Sequence, residues 1–469
     1  MRSIKISKRL KIDCIHSEGG GMRRKCSVIA AVVISLFGIL LSVNAGASEM
    51  PQATTYSGNF WSRSTLTGDW GGLRNDLAKK GITFDLSLTQ AYQGTVDGGK
   101  KEAWEYGGRG DLTIHVSTQK LGLWPGGFFT IEVEGNYNDS VNAYTGALMP
   151  ANNSQMFPRP IDDNLNVPAF NFTQVLSPYF AVMFGKFATL TSTAGDMNEF
   201  AHGKGDTQFM NMAFNLNPVV ATTVPYSALG AGAIIFPTKN PEEATVSFMV
   251  MQTNGQSNVT GFSDLNQNLL TFVGEGRVKT NFFGLTGHQL LGAAYSNKEY
   301  ASIDQNSRVI IETGEIDKRK GSWNIHYNFD QYLYEPKKGS GIGIFGRFGV
   351  SDGNPNFMRY FYSIGIGGKG IIPGRPLDHF GIGYYYLEVN RPSFTGPLES
   401  RSFLRDEYGF EAYYNCAITP WMRLTPNLQV VRPAQKDYVT TQTIHGVTHR
   451  SRTGTGTATI LGIRLRLIF

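Results

Sequence analysis

Residues 457–469 read Thr-Ala-Thr-Ile-Leu-Gly-Ile-Arg-Leu-Arg-Leu-Ile-Phe, and Phe469 is the last residue. On a pleated strand, Thr459, Leu461, Ile463, Leu465, Leu467 and Phe469 share one face, while Gly462, Arg464 and Arg466 share the other. A strand of a soluble sheet rarely alternates Leu with Arg and then stops on an aromatic. A membrane barrel strand needs that alternation, because one face meets lipid and the other meets water. The stretch predicts an all-β chain: a transmembrane antiparallel β-barrel.

The other end of the chain agrees. Met22-Arg23-Arg24-Lys25 is a basic start, Ser27 to Val43 is apolar, and Ala45-Gly46-Ala47 is a small-residue cleavage site. That is the order of a secretory signal peptide; the apolar run is short for a membrane anchor. Residues 1–47 are therefore expected to be an upstream extension plus a cleaved leader, with Met22 a candidate start. Residues 48–81 form a periplasmic segment and 82–469 the barrel. The leader also explains the basic character. It holds eight Lys+Arg and two Asp+Glu, and subtracting these from 43 and 37 leaves 35 of each. A mature chain without net charge gives no argument for nucleic acid.

Cys14 and Cys26 leave with the leader, so Cys416 stands alone and neither an intrachain disulfide nor a thiolate metal cluster is expected. Cys416 sits in an apolar alternation and reads as a small lipid-facing or packing residue. No later apolar run reaches the roughly twenty residues of a membrane helix. With 55 Gly and 12% aromatics, the composition suits a barrel in which only every second strand residue is apolar.

Sixteen segments alternate with period two between turn signals: 82–91, 108–118, 127–138, 168–176, 178–187, 227–237, 243–253, 268–280, 288–298, 321–334, 341–352, 359–370, 379–390, 405–419, 422–433 and 457–469. The even count suits a single-chain barrel. Their connections alternate in length. Ser177-Pro178, 335–340 and 419–421 are short, while 139–167, 188–226, 299–320, 391–404 and 434–456 are long. Short periplasmic turns opposite long outer loops is barrel topology, with Gly353-Asn354-Pro355-Asn356 the one short outer link. Before the first strand, Leu73, Leu77 and Ala78 have helical spacing and Gly81 supplies a stop, which predicts a short helix at the periplasmic mouth.

Parity then sorts the charged residues. Arg109, Asp111, Thr113 and His115 face inward if Leu112, Ile114 and Val116 face lipid. The same argument turns inward Glu132 and Glu134; Glu275, Arg277 and Lys279; Phe345, Arg347 and Ser351; Glu407, Glu411, Tyr413 and Asn415; and Arg423, Asn427, Gln429, Arg464 and Arg466. A midplane Arg or Lys on the lipid face costs about 2–4 kcal/mol. Inside, these groups either meet a passing solute or pair across strands and stiffen the wall. Mixed donors and acceptors suit a neutral polyhydroxyl solute, with Tyr and Phe to stack on its C–H face.

Several segments in order along the chain resemble the carbohydrate-selective porin family of Gram-negative outer membranes, the OprB type. They include Leu-Thr-Gly-Asp-Trp-Gly-Gly-Leu-Arg (66–74), Asn-Glu-Phe-Ala (198–201), Gln-Phe-Met-Asn (208–211), Pro-Tyr-Ser-Ala-Leu-Gly-Ala-Gly (225–232), Ile-Pro-Gly-Arg-Pro (372–376) and the long match at 411–429. The resemblance implies sixteen strands and passive diffusion of glucose and related sugars. It also implies that loop 188–226 folds into the barrel. That loop holds Asp196, Asn198, Glu199, His202, Lys204, Asp206, Gln208, Asn211 and Asn215, a mixture suited to hydroxyls more than to anions. Neither a cofactor nor a metal is expected. Expected partners are sugars, outer-membrane lipid and the barrel-assembly machinery that reads a strand ending in Phe469. A homotrimer is the expectation for a large porin. The rival readings are a general or anion-preferring porin, a closed adhesive barrel, and a hydrolase built on His326 or His379.

Overall fold

The computed structural model describes residues 56–156, 165–189, 198–396, 402–444 and 447–469. The leader expected at 1–47 lies outside these residues. Twenty strands run β1 (Ile82–Gly99), β2 (Ala103–Ser117), β3 (Gly127–Asn138), β4 (Asn166–Ser177), β5 (Phe180–Ala188), β6 (Ser227–Ile235), β7 (Ala244–Gln252), β8 (Leu270–Phe282), β9 (Leu285–Ala301), β10 (Gln305–Asn306), β11 (Lys318–Lys337), β12 (Ser340–Ser351), β13 (Met358–Lys369), β14 (His379–Val389), β15 (Phe394–Thr395), β16 (Glu407–Thr419), β17 (Met422–Arg432), β18 (Asp437–Ile444), β19 (Val447–Gly454) and β20 (Gly456–Ile468). Sixteen of them close into one antiparallel barrel; the other four form two ribbons, β10 with β15 and β18 with β19, in the long loops. Closure matters because a free strand edge in lipid would leave backbone donors and acceptors unmet. Here β20 pairs with β1, placing Arg464 opposite Ala91 and Arg466 opposite Thr89.

Each of the sixteen expected segments is one barrel strand. The lipid-side alternation is visible as exposure: Leu86, Phe170, Phe184, Phe248, Leu291, Ile364 and Ile382 are exposed on the outer wall. Aromatics ring both ends, as they do at membrane interfaces. Tyr92, Trp104, Tyr295, Trp323, Tyr360 and Tyr408 lie toward the long loops, and Trp124, Tyr179, Phe282 and Tyr334 toward the short turns.

The expected boundaries fail at the first hairpin. β1 continues to Gly99 and β2 begins at Ala103, so the outer link is only 100–102 and Gly353–Asn356 is not the sole short one. Alternation is weak there because Gly94, Gly98 and Gly99 interrupt it. Cys416 has outward parity but is 7% exposed, covered by Arg375, which donates to its Sγ at 2.6 Å.

A seven-residue helix, Leu73–Lys79, precedes β1 and ends before Gly81 at φ +84°. Arg74 ties this segment to the barrel seam, donating to the carbonyls of Phe84 (2.6 Å) and Phe469 (2.8 Å). Leu66 N–H reaches Ile468 O at 2.7 Å.

Candidate functional site

The lumen is crossed by the loop between β5 and β6. Its described part, 198–226, lies inside the barrel, with Phe200, Phe209, Met210, Ala213 and Phe214 at most 2% exposed. A loop can be buried only if its backbone is satisfied, and the wall supplies the partners. Arg347 on β12 donates to the carbonyls of Phe214 (2.7 Å), Asn215 (3.4 Å) and Ala201. Arg464 on β20 donates to Gly205 O (2.7 Å) and Gln208 O (2.9 Å). Glu411 on β16 accepts from the N–H groups of Met210 (2.7 Å) and Asn211 (2.8 Å). Asn415 donates to Thr207 O at 2.6 Å.

The loop's own polar residues complete the attachment. Asn198 donates to Asn328 and to Phe329 O, both at 2.9 Å. Asn211 caps the turn Met212–Asn215 through Ala213 N–H and donates to Gln429 at 3.0 Å. Asp206 meets Arg466 at 3.1 Å. Burial alone would raise the Asp206 carboxyl, but Arg466 and Arg464 outweigh it and hold the group well below the ordinary carboxylate range. Lys204 lies 3.4 Å from Glu132 and 3.8 Å from both Asp111 and Glu134. Arg109 joins the same knot through Asp111 (2.8 Å) and Glu134.

The hydrophobic side of the loop needs space, and glycines provide it. On β12, β13 and β14, Gly343, Gly365, Gly367, Gly381 and Gly383 face inward by register. A Cβ at Gly367 would sit 2.5 Å from Phe200, at Gly381 2.7 Å from Phe209, and at Gly383 2.5 Å from Phe214. The three phenylalanines rest in this slot, Phe209 edge-on to Tyr413 at 4.7 Å and to Phe345 at 5.3 Å, and Phe200 edge-on to Tyr332 at 4.8 Å. Phe345 and Tyr413 therefore pack on the loop, not on a solute as parity alone suggested. The signal was in the sequence, as glycine on alternate positions of three successive strands, a pattern that marks close approach by another group.

A second outer loop, 139–156, docks above. Glu407 accepts from Leu148 N–H (2.6 Å), Met149 N–H (2.9 Å) and Tyr385 Oη (2.9 Å), and Gln429 donates to Ala151 O at 2.7 Å.

The opposite wall, β7 to β11, is mixed: Met249, Met251, Val273 and Leu290 point inward beside its polar groups, and Val220 and Val224 of the loop pack against them. A recess of about 80 Å3 there has Ser247, Glu275, His326, Asn328, Asn217 and Arg347 as its polar lining. Glu275 and His326 pair at 3.1 Å, and His288 and Asp330 at 3.0 Å. Glu199 reaches across from the loop, its N–H 3.2 Å from Asp330 and its carboxylate 3.5 Å from Lys369. Arg277 and Asp330 line a separate, smaller recess of about 10 Å3 with Asn198 and His288.

Every wall residue assigned inward by parity is inward by register, but the residues do not form one ring. Arg347, Arg464, Glu411, Asn198 and Asn211 fasten the loop. Arg109, Asp111, Glu132, Glu134 and Arg466 bind its charged residues. Glu275 lines the larger recess, Arg277 the smaller one, and Glu199 lies against Asp330 and Lys369. His115, Lys279 and Arg423 sit near the short-turn ends of their strands, with Arg423 donating to Leu377 O at 2.7 Å. Asp196 lies outside the described residues.

Comparison with known proteins agrees with this architecture. Residues 101–469 match the family model described as carbohydrate-selective porin, OprB family. Porin B of Pseudomonas aeruginosa is 24% identical over 422 residues, spanning 81% of this chain and 90% of the relative. The high-pH structure of Pseudomonas putida OprB superposes with a TM-score of 0.71 at 21% identity, covering 88% of this chain and all of that one. The low-pH structure of the same protein gives 0.53 at 17% identity, covering 87% and 99%. The family match spans most of the chain, and the barrel fold is shared: this chain belongs to the carbohydrate-selective porin, OprB family, and is a β-barrel sugar porin of the Gram-negative outer membrane.

Proposed function

We propose that the solute is a neutral monosaccharide of glucose size, and that it passes along the wall of β7 to β11. The single observation behind this reading is the division of the lumen. The inserted loop seats its phenylalanines in the glycine slot of β12 to β14, its ends also meet β8 and β11, and between it and β7 to β11 a small recess with donors and acceptors remains. The groups facing that path are both donors and acceptors: Glu275, His326, Asn328, Arg277 and Asp330, with Glu199 from the loop. Such a set can exchange a sugar's hydration hydrogen bonds for wall hydrogen bonds, which favours entry without trapping.

The arrangement argues against an anion-preferring pore. Arg347 and Arg464 donate to loop carbonyls, and Arg109 faces two carboxylates. Arg347 and Arg464 keep their charge with their donors occupied, and the carboxylates beside Arg109 and Arg466 weaken, without cancelling, the field that would attract an anion. Nothing in this path calls for energy coupling, so flux follows the gradient. The trimer expected of large porins belongs to the same proposal, and cross-linking in native membranes tests it.

Liposome swelling with the refolded mature chain tests the sugar reading. Glucose is compared with a neutral amino acid of similar size. Faster glucose entry supports it. Equal rates together with a reversal potential favouring chloride would replace it with a general or anion-preferring porin.

A further inference from the structure

The outer wall carries one anomaly, where β4, β5 and β6 meet. Phe184 faces outward, and Lys186, two residues on, shares that face, in register between Phe170 and Leu229. It lies at the long-loop end of β5 and is 7% exposed. The loop between β7 and β8 folds back over the wall to cover it, and its ammonium donates to the carbonyls of Ser257 (3.0 Å) and Val259 (2.6 Å). An ammonium has three donors; two are met here. Among the described residues no carboxylate pairs with it. Beside it opens a cavity of about 610 Å3, walled by Phe170, Phe172, Phe184, Leu229 and Val259. Phe262 of the covering loop is 67% exposed at its edge.

A charge on the lipid face is tolerated best near the interface, where headgroups can answer it. The long-loop end of a barrel strand meets the outer leaflet, whose glycolipid carries phosphates on an acylated sugar core. The cavity offers the complement of that molecule: an apolar slot for a chain and, at its head, a cation that no carboxylate among the described residues pairs. We propose that this cavity binds one molecule of the outer leaflet's phosphorylated glycolipid, with an acyl chain along Phe170, Phe172 and Phe184 and a phosphate on Lys186. The 253–269 loop then acts as a clasp, holding the lysine in place through its carbonyls. The site is separate from the sugar path, since Lys186 and Leu229 face away from the lumen.

Native mass spectrometry of the refolded, lipid-free mature chain tests this, with diphosphoryl lipid A as the probe. Dephosphorylated lipid A and phosphatidylglycerol serve as comparators. The expected result is a one-to-one adduct with diphosphoryl lipid A, weakened at least tenfold in Lys186→Gln and in Leu229→Trp, which fills the slot but keeps the charge. Glucose swelling stays at the wild-type rate in both variants, which establishes that they fold. If Lys186→Gln fails to fold, the dephosphorylated probe on the wild-type chain asks the same question. Equal binding by wild type and Lys186→Gln, equal binding of phosphatidylglycerol, or association of two or more chains without a lipid adduct would each overturn the proposal.

Discussion

The two sides of the lumen are built from the same strand alternation yet end in different states. Along β12, β13, β14 and β16 the inward positions carry glycine, Phe345, Tyr385 and Tyr413, and the loop's phenylalanines fill the space until the wall is dry. Along β7 to β11 the inward positions mix Met249, Met251, Val273 and Leu290 with Ser247, Glu275, Arg277, His326, Asn328 and Asp330, and the loop meets this wall near its two ends, through Asn198 and Glu199 on β11 and through Val220, Thr223 and Val224 on β7 and β8, with small recesses left between. Inward parity therefore states only that a residue avoids lipid. Whether it faces a solute or a docked loop depends on whether its neighbours leave a slot.

That contrast can be broken most directly at Arg347. Arg347→Met leaves the carbonyls of Phe214, Asn215 and Ala201 without their charged donor, a local loss of about 3 kcal/mol. The loop should come off its wall, and single-channel conductance should rise several-fold while discrimination between glucose and the size-matched amino acid disappears. Next in size is Gly383→Ala. Its methyl meets the Phe214 ring at 2.5 Å in the slot, and overpacking of this kind costs about 1–3 kcal/mol. Lower thermal stability in detergent, with the barrel still closed, is the expected reading. Glu275→Gln acts on the β7 to β11 side. Because it touches no loop anchor, its effect on unfolding should stay below about 0.5 kcal/mol. The glucose swelling rate should change, along with a shift of the reversal potential toward anions.

The smallest effect concerns pH. The Asp206 carboxyl titrates below its unfolded value, so its clasp on Arg466 is fully present above the ordinary carboxylate range. That contribution is lost only as pH falls through the lowered folded value. Conductance should therefore hold steady from neutral pH down to about pH 4 as far as this clasp is concerned. Asp206→Asn should lower loop stability by the same amount at both ends of that range.

The barrel was legible because lipid enforces it: a misplaced Arg464 or Arg466 would face hydrocarbon, so all sixteen strands announce themselves by alternation. The ends of β1 and β2 were less legible, since Gly94, Gly98 and Gly99 blur the period near the first outer link. The ribbons β10–β15 and β18–β19 lie in outer loops, where no lipid face imposes a pattern. At the site, parity found the inward residues but not their partners. Arg347 and Glu275 look alike in sequence; only the glycines opposite Phe200, Phe209 and Phe214 tell which wall receives the loop. Fastening of the loop by Asn211 and Glu411 depends on residues two hundred positions apart, which no local pattern carries.

Cysteine accessibility compares the two walls most directly. In a Cys416→Ser background, Ser247→Cys on the mixed wall and Ser363→Cys on the dry wall are treated with a charged, membrane-impermeant thiol reagent during glucose swelling. Ser363 is fully buried, whereas Ser247 borders the recess. The expected outcome is rapid modification of Ser247→Cys that slows glucose entry, with Ser363→Cys inert. Equally fast modification of both positions would contradict a lumen divided into a dry wall and a sugar path.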